Sequence, residues 1–270
     1  MTFSDQSSDE FSAFALRLAD AARGQTLSRF RKGAAIFNKA GPWFDPVTDA
    51  DREAERVQRD MIAKVYPTHG VVGEEFGVTN PDAEICWVLD PVDGTRAFVC
   101  GVPSWTTLIA LEHQKTPMLG LIDQPYVDER WLSAGGRTTY MRAGETSACS
   151  TSGVTELEKA RISTTDPRPI AYFNDKEAEA FAEVSKASRV ARFSMDAYAY
   201  GLLAIGEIDL VIEAGLQHHD YAALSPVVTG AGGVMTNWSG EAVGSDERGE
   251  TVAAATPELL QAALKILSGS

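Results

Sequence analysis

The sequence predicts a mixed fold, α+β in its first half and α/β in its second, on three observations. Two N-terminal segments repeat apolar residues at helical spacing, a run of short apolar stretches follows them, and beyond about residue 144 helical and extended stretches alternate. At 270 residues the chain is long enough for one large domain or two small ones sharing a core. Hydrophobic residues at 44% and charged residues at 23% are ordinary for a soluble globular protein.

From about Glu10 to Phe30, the residues Phe11, Phe14, Ala15, Leu18 and Ala22 form one apolar face, which predicts an amphipathic helix. Gly41-Pro42 then reads as loop. Thr48 is the expected N-cap of a second helix, with Asp49 and Asp51 in its first turn and Ala50, Ala54, Val57 and Met61 along one face. Val71-Val72-Gly73 opens into Glu74-Glu75. Cys86-Trp87-Val88-Leu89 reads as a buried strand that should end near Asp90-Pro91, because proline cannot donate to a ladder. Trp105–Leu111 and Met118–Asp123 read as strands joined hairpin-fashion through His113–Pro117. Glu129–Gly136 and Thr139–Arg142 are further strands.

Residues 144–157 are small and polar, the best place for a seam between subdomains. Beyond it come a strand at Arg161–Thr165 and a helix at Asp175–Ala187. A helix capped by Ser194 or Asp196 follows and ends at Gly206, then a strand at Ile208–Glu213. The sequence next implies a helix at Asp220–Gly230, a strand at Val234–Trp238, and a closing helix started by Thr256 and Pro257.

A net charge of −14 argues against a nucleic-acid groove or an anionic membrane surface. No apolar stretch approaches a membrane span, and the opening residues are polar and acidic, so the expected compartment is the cytoplasm. Cys86, Cys100 and Cys149 lack metal-type spacing and are expected to be reduced thiols, Cys86 inside the core strand.

Chemistry concentrates in the acids. Asp90 and Asp93 stand at the mouth of an apolar strand, where uncompensated charge is costly, and hard divalent cations such as magnesium suit all-oxygen ligands. Glu74 and Asp220 also lie at element junctions. Each acid has a local use of its own: turn formation for Asp90–Gly94, helix-start charge for Asp49 and Asp51, capping for Asp220. His218 and His219 are adjacent and point apart, with no third soft ligand near, so zinc fits the chain less well than magnesium.

Four motifs together carry a resemblance: V-T-D-A-D (47–51), G-E-E (73–75), W-V-L-D-P-V-D-G-T (87–95) and H-D-Y-A-A-L-S-P-V-V-T-G-A-G-G (219–233). In order and spacing they resemble the signatures of the inositol-monophosphatase-like, metal-dependent phosphatases. I-D-Q-P (122–125), E-R-W (129–131), residues 196–206 and residues 209–216 look most like the histidinol-phosphate phosphatase branch. The resemblance implies a layered α/β/α/β/α sandwich, a homodimer, and two subdomains, 1–145 and 146–270, with the site between them.

It also implies that Glu74, Asp90 and the Val92 carbonyl hold one magnesium ion, that Asp90, Asp93 and Asp220 hold a second, and that a third, weaker one sits near Glu74. Asp51 and Thr95 match the pair that positions and deprotonates the attacking water, with Glu74 joining them as catalytic. Gly94 and Thr95 would hold phosphate oxygens, beside Asp93 and Asp220. Ser194, Met195, Asp196 and Glu213 match positions that contact the organic part of the substrate. The chain departs from the branch at His218-His219, where a Pro-Tyr-like pair is usual.

The implied activity is magnesium-dependent hydrolysis of a small phosphate monoester, most similar to histidinol phosphate. Between Phe193 and Glu247 there is no Lys or Arg, which disfavours a second phosphate and favours a cationic group. Inositol phosphate is the alternative, and a non-catalytic regulator that keeps the fold is the reading from another class.

Overall fold

Hydrophobic cores fill the space between five layers, and the alternation of side chains along the strands sorts residues among them. In the computed structural model, which describes residues 5–38, 46–246 and 248–269, the first layer pairs α1 (Asp5–Thr26) with α2 (Asp49–Val65). The expected loop at Gly41-Pro42 lies outside the described residues. Between the two helices run β1 (Ile36–Asn38) and β2 (Pro46–Thr48), paired antiparallel.

The second layer is an eight-stranded sheet. It contains β3 (Gly70–Gly73), β4 (Gly77–Thr79), β5 (Ile85–Asp93), β6 (Thr106–His113), β7 (Thr116–Gln124), β8 (Glu129–Ala134), β9 (Arg137–Arg142) and β10 (Glu145–Ala148). A short α3 (Thr95–Cys100) follows β5, and the spatial order is β10-β9-β8-β7-β6-β5-β3-β4. Only β3 and β5 run parallel; the other pairs are antiparallel. Trp87, Leu89, Ile109 and Leu121 face α1 and α2, with Phe14 and Leu18 packed on them. Their neighbours Val88, Leu108, Ala110 and Ile122 face the other way, into the middle of the molecule.

That middle layer comes from the second half of the chain. After β11 (Arg161–Thr164), α4 (Asp175–Ala187) and β12 (Val190–Phe193) come α5 (Tyr198–Ala204), β13 (Leu210–Glu213) and α6 (His218–Gly230). Tyr200 and Leu203 of α5, with Ala223 and Val227 of α6, fill the space between the sheets. β14 (Val234–Thr236) and β15 (Thr251–Ala254) complete a mixed sheet ordered β12-β11-β13-β15-β14, and α7 (Pro257–Leu267) joins α4 on its far side. The layered α/β/α/β/α sandwich is therefore present. The molecule has no helix long and apolar enough to cross a membrane, among the described residues.

Several expectations need correcting. The first helix begins earlier and ends at Thr26, while Phe30 lies beyond it and packs on Phe98 and Trp105. The expected seam at 144–157 opens with an edge strand, β10, whose residues are all exposed and so carry no apolar signal. Exposure likewise hid β12, and small residues hid β15. Strand β5 does not stop at Pro91. It continues to Asp93, and the Pro91 carbonyl accepts a hydrogen bond from Thr107 Oγ1 at 2.7 Å. Neither Ser194 nor Asp196 caps α5, which starts at Tyr198 without a side-chain cap. Helix α6 starts at His218, so Asp220 is its third residue rather than its cap.

Candidate active site

A bulge makes the site possible. On a regular strand, residues three apart point to opposite faces, so Asp90 and Asp93 would be separated by the sheet. In β5, Asp90 pairs with Leu108 and Asp93 with Thr106, so β5 carries one extra residue there. The bulge turns both acids to one side, as bulges beside active sites do. Pro91 fits because a bulged residue leaves the ladder. One oxygen each of Asp90, Asp93 and Asp220 lies within 4.8 Å of the others. Asp90 accepts the Val92 N–H at 3.1 Å, and Asp93 accepts the Ala197 N–H at 2.8 Å.

Glu74 arrives from the turn between β3 and β4, and its carboxyl interacts with Asp90. A buried ion pair holds that turn from behind. Glu55, wholly buried on α2, accepts the N–H groups of Glu75 at 2.7 Å and Phe76 at 3.2 Å, and takes Arg59 Nε at 2.7 Å. Arg59 in turn donates to Thr79 and to the Gly77 carbonyl. Gly73 is required for this approach, since a Cβ there would lie 2.0 Å from a Glu55 oxygen.

Asp51 serves two partners. Its Oδ2 accepts from the Thr48 N–H and hydroxyl in a capping box at the start of α2, at 2.9 and 2.5 Å. Its Oδ1 faces the Thr95 hydroxyl at 3.2 Å, which also lies 3.0 Å from the Val92 carbonyl. Burial pushes the Asp51 carboxyl up to about 7, against the Thr48 hydrogen bonds. The helix-start role and the site role are thus carried by different oxygens of one side chain.

Asp220 stands in the first turn of α6, where Oδ2 accepts the Gln217 N–H at 2.6 Å. The two histidines diverge. His218 turns to the buried Glu112 at 2.8 Å, whereas His219 lines the cavity, 3.5 Å from Asp220 Oδ1.

Glu74, Asp90, Asp93, Thr95, His219 and Asp220 line a cavity of about 210 Å³, and more of its wall comes from the second half of the chain. There Glu213, 3% exposed, accepts from the Thr165 N–H and hydroxyl and the Thr164 hydroxyl. Burial pushes its carboxyl up to about 8. Asp196, in the left-handed region at φ 49°, sits beneath Gly94 and is raised to about 6 by burial, against the Ser104 hydroxyl and Arg96. Gly94 itself has φ 78°, and a Cβ on it would lie 2.9 Å from Asp196 Cγ. Ser194 and Met195 are not among the residues lining the cavity: Ser194 is exposed and Met195 packs on the central core. Sequence reasoning missed Arg96, Thr165 and Tyr172 in the wall. Arg96 immediately follows the D-G-T motif, the only signal that pointed to it.

The donor set fits a hard divalent cation. All candidate ligands are oxygens, and Asp90 is 2% exposed. Burial, then Glu74, Asp93 and Asp220, hold the Asp90 carboxyl far above its usual range. Such mutual repulsion is relieved by a cation placed among the oxygens.

The inositol monophosphatase family model matches residues 7–269. The bifunctional phosphatase IMPL2, chloroplastic, of Arabidopsis thaliana is 40% identical over 240 residues, 88% of this chain and 67% of that protein. A histidinol-phosphatase of Mycobacterium tuberculosis is 36% identical over 231 residues, 84% of this chain and 87% of that one. Among solved structures, an inositol monophosphatase from Zymomonas mobilis superposes with a TM-score of 0.84 at 37% identity, covering 96% of this chain and 98% of that one. A sandwich of this layering, a buried acidic cluster and these matches lead to one conclusion: the chain belongs to the inositol monophosphatase family and is a phosphatase of small phosphate monoesters.

Proposed function

We propose that the protein is a magnesium-dependent histidinol-phosphate phosphatase. The observation that carries the substrate is a pair of acids in the cavity wall, the half-buried Asp196 beside Asp93 and the buried Glu213. A substrate with an ammonium on its alcohol meets them better than a neutral one, and two of the relatives at 33–36% identity are histidinol-phosphatases. Glu213 already accepts three hydrogen bonds, so it is firmly placed and Asp196 is the freer of the two.

In this reading, Glu74, Asp90, the Val92 carbonyl, Asp93 and Asp220 would hold two magnesium ions, and a third, weaker one would lie near Glu74. When bound, magnesium supplies positive charge that offsets the phosphate and the developing charge on the departing alcohol. The remaining steps belong to the chain. The Thr95 hydroxyl takes a proton from the attacking water and passes its own to Asp51 Oδ1, which lies 3.2 Å away. A carboxylate raised to about 7 is well matched to that task near neutral pH. The water oxygen bonds to phosphorus as the ester P–O bond breaks, and the departing alkoxide takes a proton from solvent to leave as the alcohol. Backbone N–H groups at Gly94 and Thr95, at the start of α3, hold phosphate oxygens.

The subdomain division at 145/146 puts the site at the seam, and the reading extends to a homodimer in the cytoplasm. Inositol phosphate is the second substrate reading, favoured by the solved Zymomonas mobilis relative. A non-catalytic regulator is disfavoured, because every position matched to a ligand keeps an oxygen donor. Phosphate release from histidinol phosphate and inositol 1-phosphate, measured in magnesium buffer, tests the choice. A clear preference for inositol 1-phosphate ends the histidinol reading.

A further inference from the structure

Among the described residues lining the cavity, Arg96 is the one permanent cation. It is the second residue of α3, directly after Thr95. Its guanidinium stacks over the Tyr172 ring, 4.9 Å from the centroid, and so is anchored on the wall formed by the second half of the chain. Tyr172 is held in turn by Arg248, which donates to its carbonyl at 2.9 Å. The Arg96 charge reaches Asp166 and Asp196, but Asp166 is already bound by Arg168 at 2.6 Å.

Other partly buried arginines spend their donors on acids: Arg23 on Asp123, Arg59 on Glu55, Arg161 on Asp209. Among the described residues, no carboxylate or carbonyl accepts a hydrogen bond from Arg96. A guanidinium carries five N–H donors in a planar fork, and leaving them unpaired in a half-buried wall is costly. Stacking fixes the plane of the fork while leaving its edge open toward the cavity.

The geometry points to Arg96 as a specificity-determining residue that donates to an uncharged acceptor on the ring of the departing alcohol. That acceptor is an imidazole nitrogen in histidinol phosphate or a ring hydroxyl in an inositol phosphate. Asp196 and Glu213 take the cationic or donor groups of the same alcohol, so the wall reads both kinds of group at once. With Asp196 in reach of the Arg96 charge and Glu213 in the same wall, a second anionic group is poorly received there, which singles out a neutral acceptor. The inference rests on the proposed substrate class and deepens it.

The test compares Arg96→Met and Arg96→Lys with the parent enzyme on histidinol phosphate and on 2-aminoethyl phosphate, which keeps the ammonium and lacks the ring. Arg96→Met raises KM for histidinol phosphate roughly tenfold with kcat little changed, and leaves both constants for 2-aminoethyl phosphate within about twofold. Arg96→Lys restores part of the loss, because a point charge lacks the planar fork. An equal loss on both esters overturns the inference, since Arg96 then acts on the phosphate or on the fold; no loss on either overturns it too. If the parent enzyme prefers inositol 1-phosphate, the substrate reading fails separately. Arg96 is then judged on inositol 1-phosphate against ethyl phosphate, where a loss confined to the ring ester supports it and a uniform or absent loss overturns it.

Discussion

The two ends of the cavity use carboxylates in opposite ways. At one end, Asp90 has Glu74, Asp93 and Asp220 as its charged neighbours, and all of them push its proton affinity up. At the other, Glu213 is equally buried, yet its oxygens are filled by the hydroxyls and N–H of Thr164 and Thr165. The first group is electrostatically incomplete and calls for a cation; the second is complete and serves as a fixed wall. Burial alone therefore does not distinguish a ligand cluster from a recognition surface. The partners do.

The largest expected effect sharpens this contrast. Asp93→Asn keeps an acceptor for the Ala197 N–H while removing one charge from the cluster. Turnover should fall by roughly a thousandfold, as expected when several kcal/mol of charge stabilisation are lost. The same variant should melt higher than the parent in EDTA, because one repelling charge is gone. A lower melting temperature in EDTA would break the contrast.

Next in size is Glu55→Gln, which acts on Glu74 through the backbone of Glu75 and Phe76. Supporting residues of this kind typically cost 10–100-fold in metal affinity, so half-maximal activity should need roughly tenfold more magnesium. An unchanged magnesium titration would show that the turn holds itself. Gly94→Ala is smaller: the left-handed backbone and the approach to Asp196 should cost about 1–2 kcal/mol of stability, read from denaturant unfolding.

Glu213 gives a pH signature at the recognition end. Its folded carboxyl titrates near 8 against an ordinary value of 4.5, so between these pH values the folded state holds a proton that the unfolded state has lost. Its contribution to stability is therefore present in full below about 4.5 and fades as pH rises toward 8. In the metal-free protein Glu213→Gln should flatten that decline in the unfolding free energy, and an unchanged slope would refute the assignment. The smallest effect belongs to His218, which faces Glu112 rather than the cavity. His218→Gln should leave kcat/KM within about twofold, whereas His219 borders the site.

Much of the incomplete end was legible in the sequence, because charge beside an apolar strand is conspicuous in a linear string. Asp90 and Asp93 stand out by type and position, whereas Asp51 and Asp220 read alone as helix-start acids and join the site only through the motifs around them. What the string hides is the device that unites them. The bulge in β5 depends on pairing with β6, and Pro91 suggests a strand end instead. The complete end was less legible for a related reason. Asp196 resembles a helix cap, and only its left-handed backbone and the contact with Gly94 show otherwise. Arg96 and Tyr172 are 76 residues apart and meet only after folding. The edge strands β10 and β12 were missed because exposed edges have no apolar pattern to read.

The central claim is that acids distant in the chain converge to hold hard cations about a phosphoryl group. Calorimetric titration of magnesium into the parent protein and into Asp90→Asn, paired with phosphate release from histidinol phosphate, tests it most directly. The account predicts a binding heat and turnover in the parent, and the loss of both in a variant that stays folded. A variant that binds magnesium and releases phosphate as the parent does would contradict it.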